Sequence, residues 1–364
     1  MEKGAVFLFG KALIQGKLVN CTLVVRNILR TLFVLPRATP TEELPMSDIM
    51  GTVYGELNEL RLKYGIKKWT CSSARRNYCF ELDGIPLREA DYIKMQYNGI
   101  FPMINPTTSD NIAHIFGTQT SLLEHLLVKR QIKGPCWLMI QNAFDDTFRT
   151  RYSSGKFEYT VSEPKDIIIN HEDLINKPVP VMSVMSLSFR TWRNLKNKNE
   201  IVAISGIVHN YIKMDGPTDN RGTGYKPFTL IRKLNNRMPQ DARTYFANKG
   251  SIEAFFDEKS MISKFIEKIA QYDPDMIIGH ELCGSMMETL ISRIFDLNVT
   301  NGSKLSRLRR TRLQRTKGMG GGEFFTYRVA TSGRLLCDTF LTCKELVRES
   351  TYTLTKLTES ILKS

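Results

Sequence analysis

Apolar positions recur along this chain with two periods, and the period changes in a defined order. Residues 1–37 run in short strand-like blocks, GAVFLFG, CTLVVRNI and TLFVLPR, rich in Val, Leu and Phe and broken by Gly, Asn and Pro, which predicts three strands. The polar stretch RATPTEELPMSD predicts a loop. Ile49, Met50, Val53, Tyr54, Leu57 and Leu60 then fall at helical spacing over 48–64. NYCFEL (77–82) and YIKMQY (92–97) return to strand-like patterns. Ser121 and Glu124 form a capping-box pair ahead of an apolar face of Leu122, Leu123, Leu126 and Leu127. Lys129 and Arg130 suit the negative end of that helix, Gly134-Pro135 is expected to stop it, and CWLMI reads as a strand.

The second half has a different rhythm. A proline-bearing joint, Lys177-Pro178-Val179-Pro180, predicts a domain boundary near residue 175, giving expected domains 1–175 and 176–364. VMSVMSLSFRT (181–191) and EIVAISGIVHNYI (200–212) read as strands, and the second, apolar at successive positions, is expected inside a sheet covered on both faces. A Gly/Pro/Asp-rich loop (214–224) and PFTLIRKL (227–234) follow. Asp257 is placed to cap a helix with Met261, Ile262, Phe265, Ile266 and Ile269 inward, after which DPD turns into the strand MIIGH. The fold class expected is mixed, α/β and α+β: a β-rich N-terminal domain, then an α/β layer.

The 364 residues suffice for about two domains. No apolar run approaches the ~18 residues of a membrane span, so no membrane association is expected. The start, MEKGAVFLFGKALIQG, has no signal-peptide core with a cleavage site. Cysteines 21, 71, 79, 136, 283, 337 and 343 are scattered, without a CxxC pair, which suits a reduced, metal-free intracellular chain. Histidines 114, 125, 171, 209 and 280 show no metal-ligand spacing.

Charge changes the picture more. Lys plus Arg number 51 against 37 acids, a formal net charge of +14, which suits a polyanionic partner such as nucleic acid. The densest run, KLSRLRRTRLQRTK (304–317), precedes Gly318, Gly320, Gly321 and Gly322. Lys304, Arg307, Arg309, Arg310, Arg312, Arg315 and Lys317 are the candidate phosphate contacts, sequence-independent and salt-sensitive. A solvated insertion, or a basic module that recruits protein partners, are the alternatives. Trp69 beside Lys67 and Lys68 is a candidate base-stacking face, against the plainer reading of a core or interface tryptophan.

Two blocks carry the candidate chemistry: VMSVMSLSFRT and DPDMIIGHELCGSMMETL (273–290). They resemble the first two exonuclease motifs of the family B DNA polymerases. There the first motif reads Phe-Asp-x-Glu; here those acids are matched by Ser188 and Arg190. The second offers an Asn and then an aromatic-Asp pair; here the positions hold Glu281, Ser285 and Met286. GAVFLFGK, VVRNILRTLFVLPR and IFGTQTSLLEHLLVKRQIKGPCWL resemble the N-terminal domain of the family's replicative primer-extending member, and NKNEIVAISGIVH, DPDMIIGH and SGRLLCDTFLTCKELVRESTYTLTKL resemble its exonuclease-like region.

The resemblance implies an RNase H-like, 3′-5′ exonuclease-like second domain, expected to end before the third motif, Tyr-x-x-x-Asp. It implies a nuclear parent polypeptide that extends RNA primers with dNTPs. That parent uses Mg²⁺ in a later polymerase domain, binds DNA template and RNA–DNA primer, and works with primase subunits and a B subunit. This portion would hold no cofactor and no catalytic group of its own.

Physical chemistry gives the same reading of the exchange. Two-metal hydrolysis needs hard oxygen ligands. Ser188 offers a neutral hydroxyl and Met286 a thioether, while a guanidinium such as Arg190 about 4 Å from a divalent ion would cost on the order of 8 kcal/mol at a dielectric near 20. Asp338 is the one acid left on a core-like strand, and Asp273, Asp275 and Glu288 read as turn or surface residues. A residual metal-dependent exonuclease built on Asp338 is the remaining enzymatic alternative.

Overall fold

The computed structural model of the chain describes residues 2–77, 82–146, 150–169, 172–216, 225–234, 251–310, 312–313 and 322–362, with backbone alone at 175 and 322–325. These residues form a mixed α/β structure with several sheets. The chain divides into two compact units, Met1–Ala12, Val19–Thr150 and Lys156–Lys177 in one, and Leu13–Leu18, Arg151–Gly155 and Pro178–Ser364 in the other.

The first unit contains strands β1 (Val6–Ile14) and β2 (Lys17–Val25), apart from the residues of Leu13–Leu18, together with β3 (Leu29–Pro36), β4 (Trp69–Arg76), β5 (Ala90–Asn98), β6 (Ile112–Phe116), β7 (Met139–Ile140), β8 (Phe157–Val161) and β9 (Ile167–Ile168), with helices α1 (Met46–Lys63), α2 (Leu122–Arg130) and α3 (Glu172–Ile175). β4, β5, β3 and β6 form an antiparallel sheet in that order. Helix α1 lays Ile49, Val53 and Leu57 onto it, against Leu32, Val34, Ile93, Met95 and Tyr97. The capping box on α2 forms in full: Ser121 Oγ accepts from the Glu124 amide at 3.2 Å, and Glu124 accepts from the Ser121 amide at 2.6 Å.

One expected strand falls largely outside the described residues, and two expectations for α2 are corrected. Of the strand expected over 77–82, residues 78–81 lie outside the described residues, and the described strand is β4, WTCSSARR. As an edge strand with one neighbour, β4 needs few large apolar side chains, so its pattern is faint. Helix α2 ends at Arg130, with Gln131 left-handed at φ 57, before Gly134-Pro135 is reached. Its apolar face is narrower than expected: Leu126 is buried, whereas Leu123 is exposed.

The second unit is built on a six-stranded sheet. Its strands are β10 (Met182–Arg193), β11 (Asn199–Ile212), β12 (Tyr225–Arg232), β13 (Ile252–Phe255), β14 (Met276–Gly279) and β15 (Leu335–Asp338). The order is β13-β12-β11-β10-β14-β15. β10–β11 and β11–β12 are antiparallel, while β12–β13, β10–β14 and β14–β15 are parallel. Helices α4 (Glu258–Tyr272), α5 (Met287–Asp296), α6 (Gly322–Ala330), α7 (Thr339–Leu346) and α8 (Leu354–Leu357) complete it.

Helix α4 starts where Asp257 caps it, accepting from the Ser260 amide at 2.9 Å. Its Met261, Ile262, Phe265, Ile266 and Ile269 are buried against Met185, Leu187, Ile204, Leu230 and Leu290. A desolvated ion pair ties its first turn to α5. Arg293 Nε and Nη2 donate to Glu258 Oε1 and Oε2 at 2.9 and 2.6 Å, and Glu258 Oε1 also accepts from the Ile201 amide at 2.7 Å. These hydrogen bonds hold the Arg293 pKa above its ordinary value, offsetting a burial that would be costly for an unpaired charge. Strand β11 lies inside the sheet but is not covered on both faces: Ile207 is 47% and Tyr211 67% exposed.

Candidate functional site

Strand β10 is where sequence and geometry meet. Side chains alternate across a strand, and on β10 Met185 and Leu187 are buried in the core while Ser186, Ser188 and Arg190 are exposed. Phe189 meets Phe265 of α4 edge-on, ring centroids 5.7 Å apart. Across the sheet, Ser188 faces Ser205 and Arg190 faces Ala203, so neither has a carboxylate opposite it.

The second motif follows β14. The chain leaves Gly279, turns at Glu281 in the left-handed region (φ 59), and winds a wide helical turn over Leu282–Met286 before α5. Met286 points into the core. A Cβ placed on Gly279 would come within 2.8 Å of its Cε, and Gly279 pairs with Leu187 on the inward side of β10. The structure therefore does not bring Met286 together with Ser188 and Arg190. Glu281 and Glu288 are exposed.

Asp338 is buried, and its carboxylate is fully engaged. Oδ1 accepts from the amides of Glu281 and Phe340 at 3.1 and 2.9 Å, and Oδ2 from that of Cys283 at 2.8 Å. It caps α7 and pins the turn after β14. Burial pushes the Cys283 thiol up to about 11, with the charge of Asp338 and the neighbouring Cys337 adding to it. His280 sits at the same turn, its Nδ1 3.1 Å from Thr339 Oγ1. Among the described residues no group of three or more His, Cys, Asp or Glu side chains is placed to hold a metal ion. The candidate residues do not fit the hard-ligand chemistry of a divalent ion: Ser188 offers a hydroxyl, Arg190 a guanidinium and Met286 a core thioether, and the nearby Asp338 is spent on backbone amides.

The basic run divides in two. Lys304, Arg309 and Arg312 are exposed, and Arg315 and Lys317 lie outside the described residues. Arg307 is corrected: it is 6% exposed and serves as an internal clamp rather than a phosphate contact. Its Nε and Nη2 donate to Asp273 and Asp275, both at 2.9 Å, and Nη1 to the Gly333 carbonyl at 3.0 Å. Arg334, which no sequence signal marked, completes the clamp: its Nη1 donates to Asp273 Oδ1 and to the Pro274 carbonyl, both at 2.7 Å. Burial depresses the Arg334 pKa, against the opposing pull of Asp273. Asp275 Oδ2 accepts in turn from the Ser183 amide at 2.9 Å. Asp273-Pro274-Asp275 is thus a turn, as expected, and also the anchor that fixes the start of β10 beside β14. Arg310 is half-buried and donates to the Val329 carbonyl at 3.1 Å. Trp69 is half-buried in the first unit, stacked on Tyr54 at 4.8 Å with the Arg61 guanidinium 5.7 Å from its centroid, so its ring is already occupied.

Comparison with known proteins decides the family. A family model described as DNA polymerase family B, exonuclease domain, matches residues 113–357. The chain belongs to this family. It is 36% identical over 370 residues to the DNA polymerase alpha catalytic subunit of Sterkiella nova, covering 97% of this chain and 24% of that protein. It is 34% and 32% identical to the proteins of that name from Xenopus laevis and Mus musculus, in each case over 100% of this chain and 25% of the relative. The chain thus spans about a quarter of the length of the curated relatives it matches.

Proposed function

We propose that this chain is the N-terminal and exonuclease-like portion of a DNA polymerase alpha catalytic subunit, with its proofreading site inactivated. The first unit corresponds to the family's N-terminal domain and the second to an RNase H-like exonuclease fold. The second unit's sheet, parallel along β10, β14 and β15 and antiparallel through β11 and β12, supports that assignment. The parent is a DNA-directed DNA polymerase of the nucleus that extends RNA primers with dNTPs, with Mg²⁺ in a separate polymerase domain and primase subunits and the polymerase alpha B subunit as partners. This portion frames that core and guides the template strand without cutting it. The observation that carries the reading is the replacement of the motif carboxylates by Ser188, Arg190 and Met286 on a retained scaffold.

Guiding a strand without chemistry calls for phosphate contacts, and Lys304, Arg309 and Arg312 are exposed to make them. Single-stranded DNA binding to the chain is expected to weaken steeply with salt. Replacing these three with Ala should reduce the log–log slope by about 0.7 for each phosphate no longer neutralised. Binding absent at low salt would contradict the template-guiding role.

A further inference from the structure

β10 outruns its neighbour on one side. It last pairs with β14 at Leu187, then continues with β11 as its partner out to Arg193 opposite Asn199, while β12 flanks β11 as far as Ala203, opposite Arg190. The stretch from Arg190 to Lys198 carries Arg190, Arg193, Lys196 and Lys198, all exposed. Lys198 is matched by Asp296 at 2.9 Å, and Glu200 is taken by Arg232 at 2.7 Å. Among the described residues, Arg190, Arg193 and Lys196 have no carboxylate partner.

Apolar surface stands among these cations. Trp192, 45% exposed, lies two residues beyond Arg190 on β10, past an irregularity in the β10–β11 register, and Leu195 at the tip is fully exposed. The tip is held rather than loose. Asn194 Oδ1 accepts from the amides of Lys196 and Lys198 at 2.9 and 3.0 Å, its Nδ2 donates to Glu200 at 2.7 Å, and Asn197 takes the left-handed conformation at φ 59. An indole flanked by unpaired cations on a rigid support suits a base and its neighbouring phosphates. In a duplex the base faces are already stacked, so the indole selects an unpaired strand.

We infer that the β10–β11 hairpin is a contact for single-stranded DNA, with Trp192 stacking on an unpaired base and Arg190, Arg193 and Lys196 on the adjoining phosphates. The inference rests on the template-guiding reading and names the element that does the guiding. On this account the strand that carries the replaced motif holds DNA by direct charge.

The test uses the full chain and a labelled oligo-dT strand without divalent metal. Trp192→Ala should weaken binding about 5-fold or more, the loss of one stacked base. Arg190→Ala with Arg193→Ala should flatten the salt dependence. DNA should quench tryptophan emission in the wild type but not in Trp192→Phe, which keeps most of the affinity because a phenyl ring still stacks. These side chains are exposed, and unchanged thermal melting of each variant checks the fold. If the hairpin variants bind like wild type while the Lys304, Arg309 and Arg312 variant does not, the hairpin inference fails and the template-guiding reading stands. No binding by any form overturns both. A duplex of equal length bound as tightly as the single strand, or poly-glutamate binding to the hairpin where DNA does not, overturns the inference.

Discussion

Arg307 shows how far a residue's role depends on what surrounds it. In sequence it is one of seven cations in a basic run; in the structure it bridges Asp273 and Asp275 from inside. Removing one partner of a buried pair leaves the other charge uncompensated, so Arg307→Ala is expected to lose about 3–5 kcal/mol of stability in denaturant unfolding. Exposed Arg309→Ala should stay within about 0.5 kcal/mol. Met286 makes a related point. Restoring an acid there would press a carboxyl into the core beside Gly279, and Met286→Asp is expected to cost at least about 2 kcal/mol, read by the same unfolding. Glu281, at the position of the family's Asn, keeps a left-handed backbone that Asn and Gly tolerate and most residues resist. Glu281→Gly should therefore gain up to about 1 kcal/mol in the same unfolding. The burial of Arg307 was not legible from sequence, since nothing local in KLSRLRRTRLQRTK distinguishes an inward arginine from an outward one, and Arg334 stands outside any basic run.

Elements were most legible where local chemistry determines them. Asp257 and Ser121 mark helix starts that form as expected, because a cap is a contact between residues three apart. Strand β4 went unread because edge pairing leaves little trace in composition; α2 keeps Lys129 and Arg130 in its last turn as expected but stops at a left-handed Gln131 rather than at Gly134-Pro135. The Asp257 cap has a pH signature. Its carboxyl is held below the ordinary value, first by the Ser260 amide. A depressed carboxylate stabilises the fold above its unfolded pKa of about 4, and that contribution is lost as pH falls through the folded value. Asp257→Ala is expected to cost about 1 kcal/mol at pH 7, with the gap from wild type closing below about pH 4 in acid unfolding.

At the scale of the whole molecule, the chain belongs to a family matched by its exonuclease-domain model, and the proposal is that it keeps that frame without the chemistry. Its core still packs α4 and α5 against β10, β11 and β12. Around that core, Asp273, Asp275 and Asp338 serve the fold, as partners to buried arginines and backbone amides. The chain as a whole carries a net charge of +14, and exposed cations such as Lys304, Arg309 and Arg190 are available to a polyanion. The sequence revealed the surplus charge but not its placement, because the hairpin from Arg190 to Glu200 takes its shape from strand pairing and from the Asn194 contacts. The central claim is that this frame does not cut DNA. The most direct measurement is incubation of the chain with a 5′-labelled single-stranded oligonucleotide and Mg²⁺, followed by sizing of the strand. The expected result is a strand of unchanged length, in wild type and Asp338→Ala alike. Metal-dependent shortening from the 3′ end that Asp338→Ala abolishes would contradict it.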